Sequence, residues 1–300
     1  MEAVDDLAEL LERIDRCLRI RQVDIAAGAA LLNQFYFAPP AAMMQRIGAA
    51  APGSLHSYYL QMAEIYAPIA NRVHSLDLEG HDTLSPGEPW PFNQAPVQAG
   101  YWLTAYGYTM AQMALEKGAR VLEVGFGAGG LTEQMIRSGL SVTGVEVRES
   151  NCQMLRDRAL RLGHPVTVLK GDIADLPLDG PYDAIVFFES FHHMSAPTSV
   201  LARLTRQLAP DGMLVFAAEP IQPAGPLIPL PWGFRMDGAS LGALREVGWV
   251  EFGFQEDFFH RMLADTGFAA ERRFIPGITH CDVWIGRRAG PAQLELRSSR

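Results

Sequence analysis

One stretch constrains the fold of this chain more than any other: Val-Leu-Glu-Val-Gly-Phe-Gly-Ala-Gly-Gly, residues 121–130. A short apolar run ends in glycines and passes straight into helical patterning at 131–138. Glycine at such a turn lets the backbone bend sharply and approach a ligand with no Cβ in the way. Downstream, apolar runs at 142–147, 166–169, 184–188 and 213–217 read as strands, with helical patterns at 150–162 and 197–209 between them. A helix near 254–266 precedes two final strands, about 269–275 and 280–286. This alternation predicts an α/β fold with a mainly parallel, doubly wound sheet, whose ligands bind at the carboxyl ends of the strands.

The rest of the chain has a different character. Leu7, Leu10, Leu11, Ile14 and Leu18 recur at spacings of three and four, which predicts an amphipathic first helix. Residues 22–35 and 54–72 read as further helices, the latter with Tyr58 and Tyr59, and no strand alternation is visible before residue 76. A Pro- and Gly-rich loop at 76–97 holds His81, Trp90 and Phe92, and a helix at about 98–117 leads into the α/β part. The expected organisation is a helical cap and lid loop over 1–97, an α/β domain over 98–290 and a tail over 291–300. A second irregular stretch, 220–240, carries five prolines together with Trp232, Phe234 and Arg235.

Charge and cysteine content exclude several function classes. A net charge of −9 argues against a general nucleic-acid binder, which needs a basic field to neutralise phosphates. Arg156, Arg158 and Arg161 read as a solvated helix face. Cys17, Cys152 and Cys281 are scattered, with no CxxC, so neither a disulfide framework nor a structural zinc site is indicated. His192 and His193 are adjacent without a second ligand set, and no metal is expected. The acidic N-terminus lacks the basic start of a signal peptide, and no apolar run reaches the roughly 18 residues of a membrane span. These features lead to an expectation of a cytoplasmic protein with no membrane span, whose first helix is either a cap or a homodimer surface.

Three carboxylates fall where a ligand at the strand tips would meet them. Glu123 stands two residues before Gly125; it would repel a diphosphate but suit a cationic ligand. Glu146 ends the second strand of the alternating part, placed to accept from two ribose hydroxyls, a role shared with NAD enzymes. Asp172 follows the next strand, placed to accept from an adenine amino group with Ile173 packing on the ring. Taken with Gly125-x-Gly127-x-Gly129, Tyr-Asp-Ala-Ile at 182–185 and Leu-Ala-Pro-Asp-Gly-Met-Leu at 208–214, these residues make 118–219 similar to the class I S-adenosylmethionine (SAM)-dependent methyltransferases. The resemblance implies SAM as cofactor. It also implies a Rossmann-like seven-stranded sheet whose last strand, within 280–286, is antiparallel.

By the same resemblance, Phe-Glu-Ser-Phe-His-His-Met at 188–194 faces the transferred methyl group, as in ubiquinone- and menaquinone-type methyltransferases. His193, then His192, are the candidate proton acceptors, because imidazole titrates near neutrality. Glu189 is placed to orient a histidine or touch the cofactor. Glu219, Trp90, Trp232 and Arg235 are expected at the substrate. His74 and His81 are further lid candidates. The expected reaction is methylation of a small-molecule hydroxyl on a saccharide or secondary metabolite. An NAD(P)-dependent oxidoreductase, sharing Gly125-x-Gly127-x-x-Gly130, and a non-catalytic SAM-fold binding protein are the alternatives.

Overall fold

A computed structural model of the chain describes residues 1–49, 62, 65–75, 78–79 and 90–290, without the side chains of 46–49. In chain order the elements are β1 (Glu2–Val4), α1 (Leu7–Arg21), α2 (Ile25–Leu32), β2 (Phe35–Phe37), α3 (Ala41–Ala49) and α4 (Pro96–Met113). They continue with β3 (Arg120–Val124), α5 (Gly130–Arg137), β4 (Ser141–Glu146), α6 (Glu149–Leu162), β5 (Thr167–Lys170), β6 (Tyr182–Phe188), α7 (Pro197–Leu204) and β7 (Leu208–Ala217). The last are β8 (Ile221–Gln222), β9 (Trp232–Phe234), α8 (Gly238–Val247), β10 (Phe252–Gln255), α9 (Glu256–Asp265), β11 (Phe268–Phe274) and β12 (Asp282–Arg288).

The chain divides into two compact units, one of residues 1–79 with 220–259 and the other of 80–219 with 260–300. The second unit is built on a seven-stranded sheet of order β11-β12-β7-β6-β3-β4-β5. β3 lies parallel to β4 and β6, pairing Leu122 with Thr143 and with Ile185. β12 alone runs against its neighbours, pairing Ile285 with Val215 of β7 and with Glu271 of β11. The antiparallel strand expected within 280–286 is therefore present. The central strand β6 is buried from Ala184 to Phe188, as a parallel strand covered on both faces must be. Its core joins Val121, Val142, Ala184, Val186, Val215 and Val283 with Leu131, Met135 and Ile136 of α5 and Ala105, Tyr106 and Met113 of α4.

The first unit takes in elements from both ends of its sequence range. α1 is capped by Asp6, which accepts from Glu9 N at 2.8 Å, and buries Leu10, Ile14 and Cys17. α8 is capped by Asp237 and tied to α1 by a two-pronged ion pair, with Arg245 donating to both Asp15 oxygens at 2.9 and 3.0 Å. Phe37 N donates to Met236 O at 2.8 Å, and Tyr36 bridges Asp237. The stretch 220–240, expected to be an irregular part of the α/β domain, holds β8, β9 and the start of α8, and its contacts group it with the first 79 residues. β1 and β2, a parallel pair, were also invisible as strands, because three residues are too few to display a period of two. Of the helix expected at 54–72, residues 65–70 are helical; Tyr58, Tyr59, His81, most of the 76–97 loop and the 291–300 tail lie outside the described residues.

Candidate active site

The turn after β3 is shaped by left-handed glycines: Gly125, Gly127 and Gly129 have φ of 70°, 51° and 71°. Each serves a separate purpose. A Cβ on Gly125 would stand 2.6 Å from Ser190 Cβ, and one on Gly129 would stand 2.9 Å from Leu155 Cδ1. These two therefore allow close packing of neighbouring elements. A Cβ on Gly127 would meet nothing within 4 Å, so its Cα faces open space. Phe126 anchors the turn by packing with Cys152 and Leu155.

Glu146, at the tip of β4, holds that turn in place. Its Oε2 accepts from Gly127 N at 2.9 Å, and its Oε1 accepts from Val147 N and Arg148 N at 2.8 and 3.0 Å. Three of the roughly four acceptor positions of the carboxylate are thus filled by backbone. The expected pair of ribose hydrogen bonds has one such position left. Asp172 accepts from Ala174 N at 2.8 Å, so part of its capacity caps its own turn. Ile173 is buried, 3% exposed, and its carbonyl accepts from Arg203. Glu123 is also buried. It accepts from the Thr132 hydroxyl, and burial pushes its pKa up to about 8 despite that bond, with Glu146 adding to the rise. Its bond to Thr132 ties the end of β3 to α5.

Arg158, expected on a solvated face, is 4% exposed. It donates to Ala128 O at 2.9 Å and lies 3.5 Å from Glu133, bracing the same turn. The helical spacing could not reveal this, because an arginine on the inner face of α6 has the same sequence signature as one on the outer face.

The ends of β6 and β7 form the second wall. Each strand is followed by a non-glycine residue in the left-handed region, Glu189 (φ 49°) and Ala218 (φ 57°), a conformation that costs on the order of 1–2 kcal/mol. Just beyond these residues the two segments meet. Glu219 accepts from Ser190 N and Phe191 N at 2.8 Å with one oxygen, and from His192 N at 3.1 Å and His192 Nδ1 at 2.8 Å with the other. Burial pushes the Glu219 pKa up, but the charge and hydrogen bond of His192 and the two backbone donors outweigh it, so the carboxyl titrates below its usual range. Glu219 was expected at the substrate; instead it is buried and its oxygens staple the Ser190–His192 turn. His192 is held in that staple, 5% exposed, while His193 is half-buried with its ring 4.2 Å from that of His192. Ser190 closes the link to the glycine turn, its hydroxyl donating to Val124 O at 2.6 Å.

The remaining expected residues fall in both units. Trp232 is fully buried in the first unit against Phe252, and Arg235 there pairs with Asp237 at 3.1 Å. Trp232 is thus enclosed within its unit, while the Arg235 side chain is 30% exposed. His74 of the first unit pairs with the buried Glu79 at 2.8 Å. Trp90 lies in the second unit, where it donates to the Tyr106 hydroxyl at 3.1 Å.

Comparison with known proteins decides what this turn belongs to. Residues 122–216 match the family model described as a methyltransferase domain. Residues 122–216 are thus similar to methyltransferase domains. The methyltransferase domain is 30% identical over 102 residues to a ubiquinone biosynthesis O-methyltransferase of Proteus mirabilis, covering 33% of this chain and 42% of that protein. It is 31% identical over 114 residues to an uncharacterized methyltransferase of Oceanobacillus iheyensis, covering 37% of this chain and 52% of that one. The chain therefore spans about half the length of the curated relatives it matches or less. Among solved structures, a Burkholderia thailandensis 1,6-didemethyltoxoflavin-N1-methyltransferase superposes with TM-score 0.47 at 19% identity, over 63% of this chain and 79% of that one.

SAM is the cofactor that the sequence resemblance implies. The residues fit it: the Cα of Gly127 faces open space beside an acidic strand tip.

Proposed function

We propose that this chain transfers the methyl group of SAM to a hydroxyl oxygen of a small organic acceptor. The observation that carries the reading is the open-faced Gly127, whose N–H is tied to Glu146 within a domain of methyltransferase type. Bound SAM supplies an electrophilic sulfonium methyl group. The chain's own part is positioning: it must hold a nucleophile in line with that methyl and keep competing water away. The Glu219 staple serves this by fixing Ser190 against Gly125, so the β6 and β3 turns move as one body. Names of relatives that specify O-methyltransferase support oxygen as the acceptor atom. A net charge of −9 favours a small-molecule acceptor over a nucleic acid. No helix among the described residues is long and apolar enough to cross a membrane.

His193, less buried than His192 and outside the Glu219 staple, is the proposed proton acceptor for the hydroxyl. Isothermal titration should show binding of SAM and of S-adenosylhomocysteine (SAH), with NAD silent. Saturable NAD binding without SAM binding would refute the reading. His193→Ala should lower methyl transfer at least a hundredfold while SAH affinity stays within twofold. Undiminished turnover would remove His193 from the chemistry.

A further inference from the structure

A second cluster in the α/β unit was not visible in the sequence. Trp102, on α4, is half-buried and touches four other rings. Its ring centroid lies 5.2 Å from Trp90, 6.1 Å from Tyr106, 6.0 Å from Phe188 and 4.5 Å from His280. Tyr106 in turn meets Phe188 at 5.1 Å. At one corner His280 Nε2 stands 3.4 Å from Glu189 Oε1, both side chains partly exposed at 35% and 38%. The hydrogen bond to Glu189 raises the His280 pKa against the opposing effect of burial. The cluster borders the glycine turn on two sides. The Tyr106 hydroxyl lies 2.5 Å from where a Gly130 Cβ would stand, and Glu189 is followed by Ser190, which packs on Gly125.

We propose that Trp102, His280 and Glu189 form the seat of the methyl acceptor, and that the acceptor is a flat aromatic ring bearing one or two hydroxyls. The ring lies on Trp102, and a hydroxyl hydrogen-bonds to the Glu189–His280 pair. This rests on the methyl-transfer reading above. Few polar groups serve this surface. Trp90 Nε1 is committed to the Tyr106 hydroxyl, which leaves the Glu189–His280 pair as its main polar feature among the described residues. A polyol such as a saccharide would leave most of its hydroxyls without partners there, and unpaired buried polar groups are costly. A flat ring instead gains offset or edge-on contact with an aromatic face. The left-handed backbone of Glu189 is a second mark of function, because strain of this kind concentrates at ligand-binding positions.

The test uses the full chain saturated with SAH, titrated calorimetrically with catechol and with cyclohexane-1,2-diol, which presents similar hydroxyls on a non-aromatic ring. Catechol should bind saturably and cyclohexane-1,2-diol at least tenfold more weakly. Trp102→Ala should weaken catechol at least tenfold, Trp102→Phe less than threefold, and His280→Gln at least fivefold, with SAH affinity within twofold throughout. Should Trp102→Ala not fold, the Trp102→Phe and His280→Gln variants and the pair of probes still decide. Equal binding of the two diols, no catechol binding by the wild type, or unchanged catechol affinity in His280→Gln would overturn the proposal. Failure of the wild type to bind SAH would instead overturn the methyl-transfer reading.

Discussion

Glu146 is the residue at which the structure most changes the expected consequence of a mutation. A purely ligand-binding carboxylate could be removed without cost to the ligand-free protein. Here the carboxylate is 5% exposed and accepts three backbone N–H groups, from Gly127, Val147 and Arg148. A hydrogen bond to a charged group contributes about 1.5–3 kcal/mol, and such contributions are not additive. Glu146→Ala should therefore cost about 3–5 kcal/mol before any ligand is added. Glu146→Gln can turn its remaining carbonyl oxygen toward Val147 and Arg148 and lose only the Gly127 bond, a cost of about 1–3 kcal/mol. The assay is hydrogen–deuterium exchange of the 124–129 and 146–150 peptides in ligand-free protein, alongside SAM titration. Each 1.4 kcal/mol of lost local stability speeds exchange by about tenfold. Exchange should quicken in the order wild type, Gln, Ala, and SAM affinity should fall by more than tenfold in Ala. Unchanged exchange in the ligand-free Ala variant would refute the argument that Glu146 fixes the turn.

Four further predictions separate the roles of neighbouring residues. Gly127→Ala should cost about 1–2 kcal/mol of stability, the penalty for a left-handed alanine, yet weaken SAH at least tenfold in titration, because its Cβ enters the open space. Gly125→Ala adds a 2.6 Å clash with Ser190 and should lose about 2–5 kcal/mol in urea unfolding, so equal stability of the two variants would count against the packing argument. Glu219→Gln should cost about 3–5 kcal/mol by thermal or urea unfolding, since it breaks a buried pair with His192 and removes an acceptor from the turn; a loss below about 1 kcal/mol would show that the staple bears no load. Glu123 has a folded pKa of about 8 against an ordinary 4.5, so the folded protein holds a proton that the unfolded chain releases. Stability from this group is present at low pH and declines as pH rises from about 4.5 to about 8. Glu123→Gln should therefore gain on wild type in melting temperature across that window, and parallel pH profiles would contradict it.

The sequence alone determined the α/β unit and the outline of the cofactor turn. Strands 120–124, 141–146 and 182–188 are apolar runs of fitting length, and the three glycines stand at fixed offsets from the first. Both signals are local, because strand burial and a tight turn are set by residues adjacent in the chain. The tertiary structure decided everything that depends on distant pairing. Glu219 meets His192 across 27 residues, Arg245 meets Asp15 across 230, and His280 comes beside Glu189 only because β12 returns next to β7. A lone histidine or arginine carries no period and no neighbour pattern, so its partner is fixed by packing, not by spacing. For the same reason residues 220–240 read as an insert, although their buried Trp232 packs against Phe252 in a unit that also takes in residues 1–79.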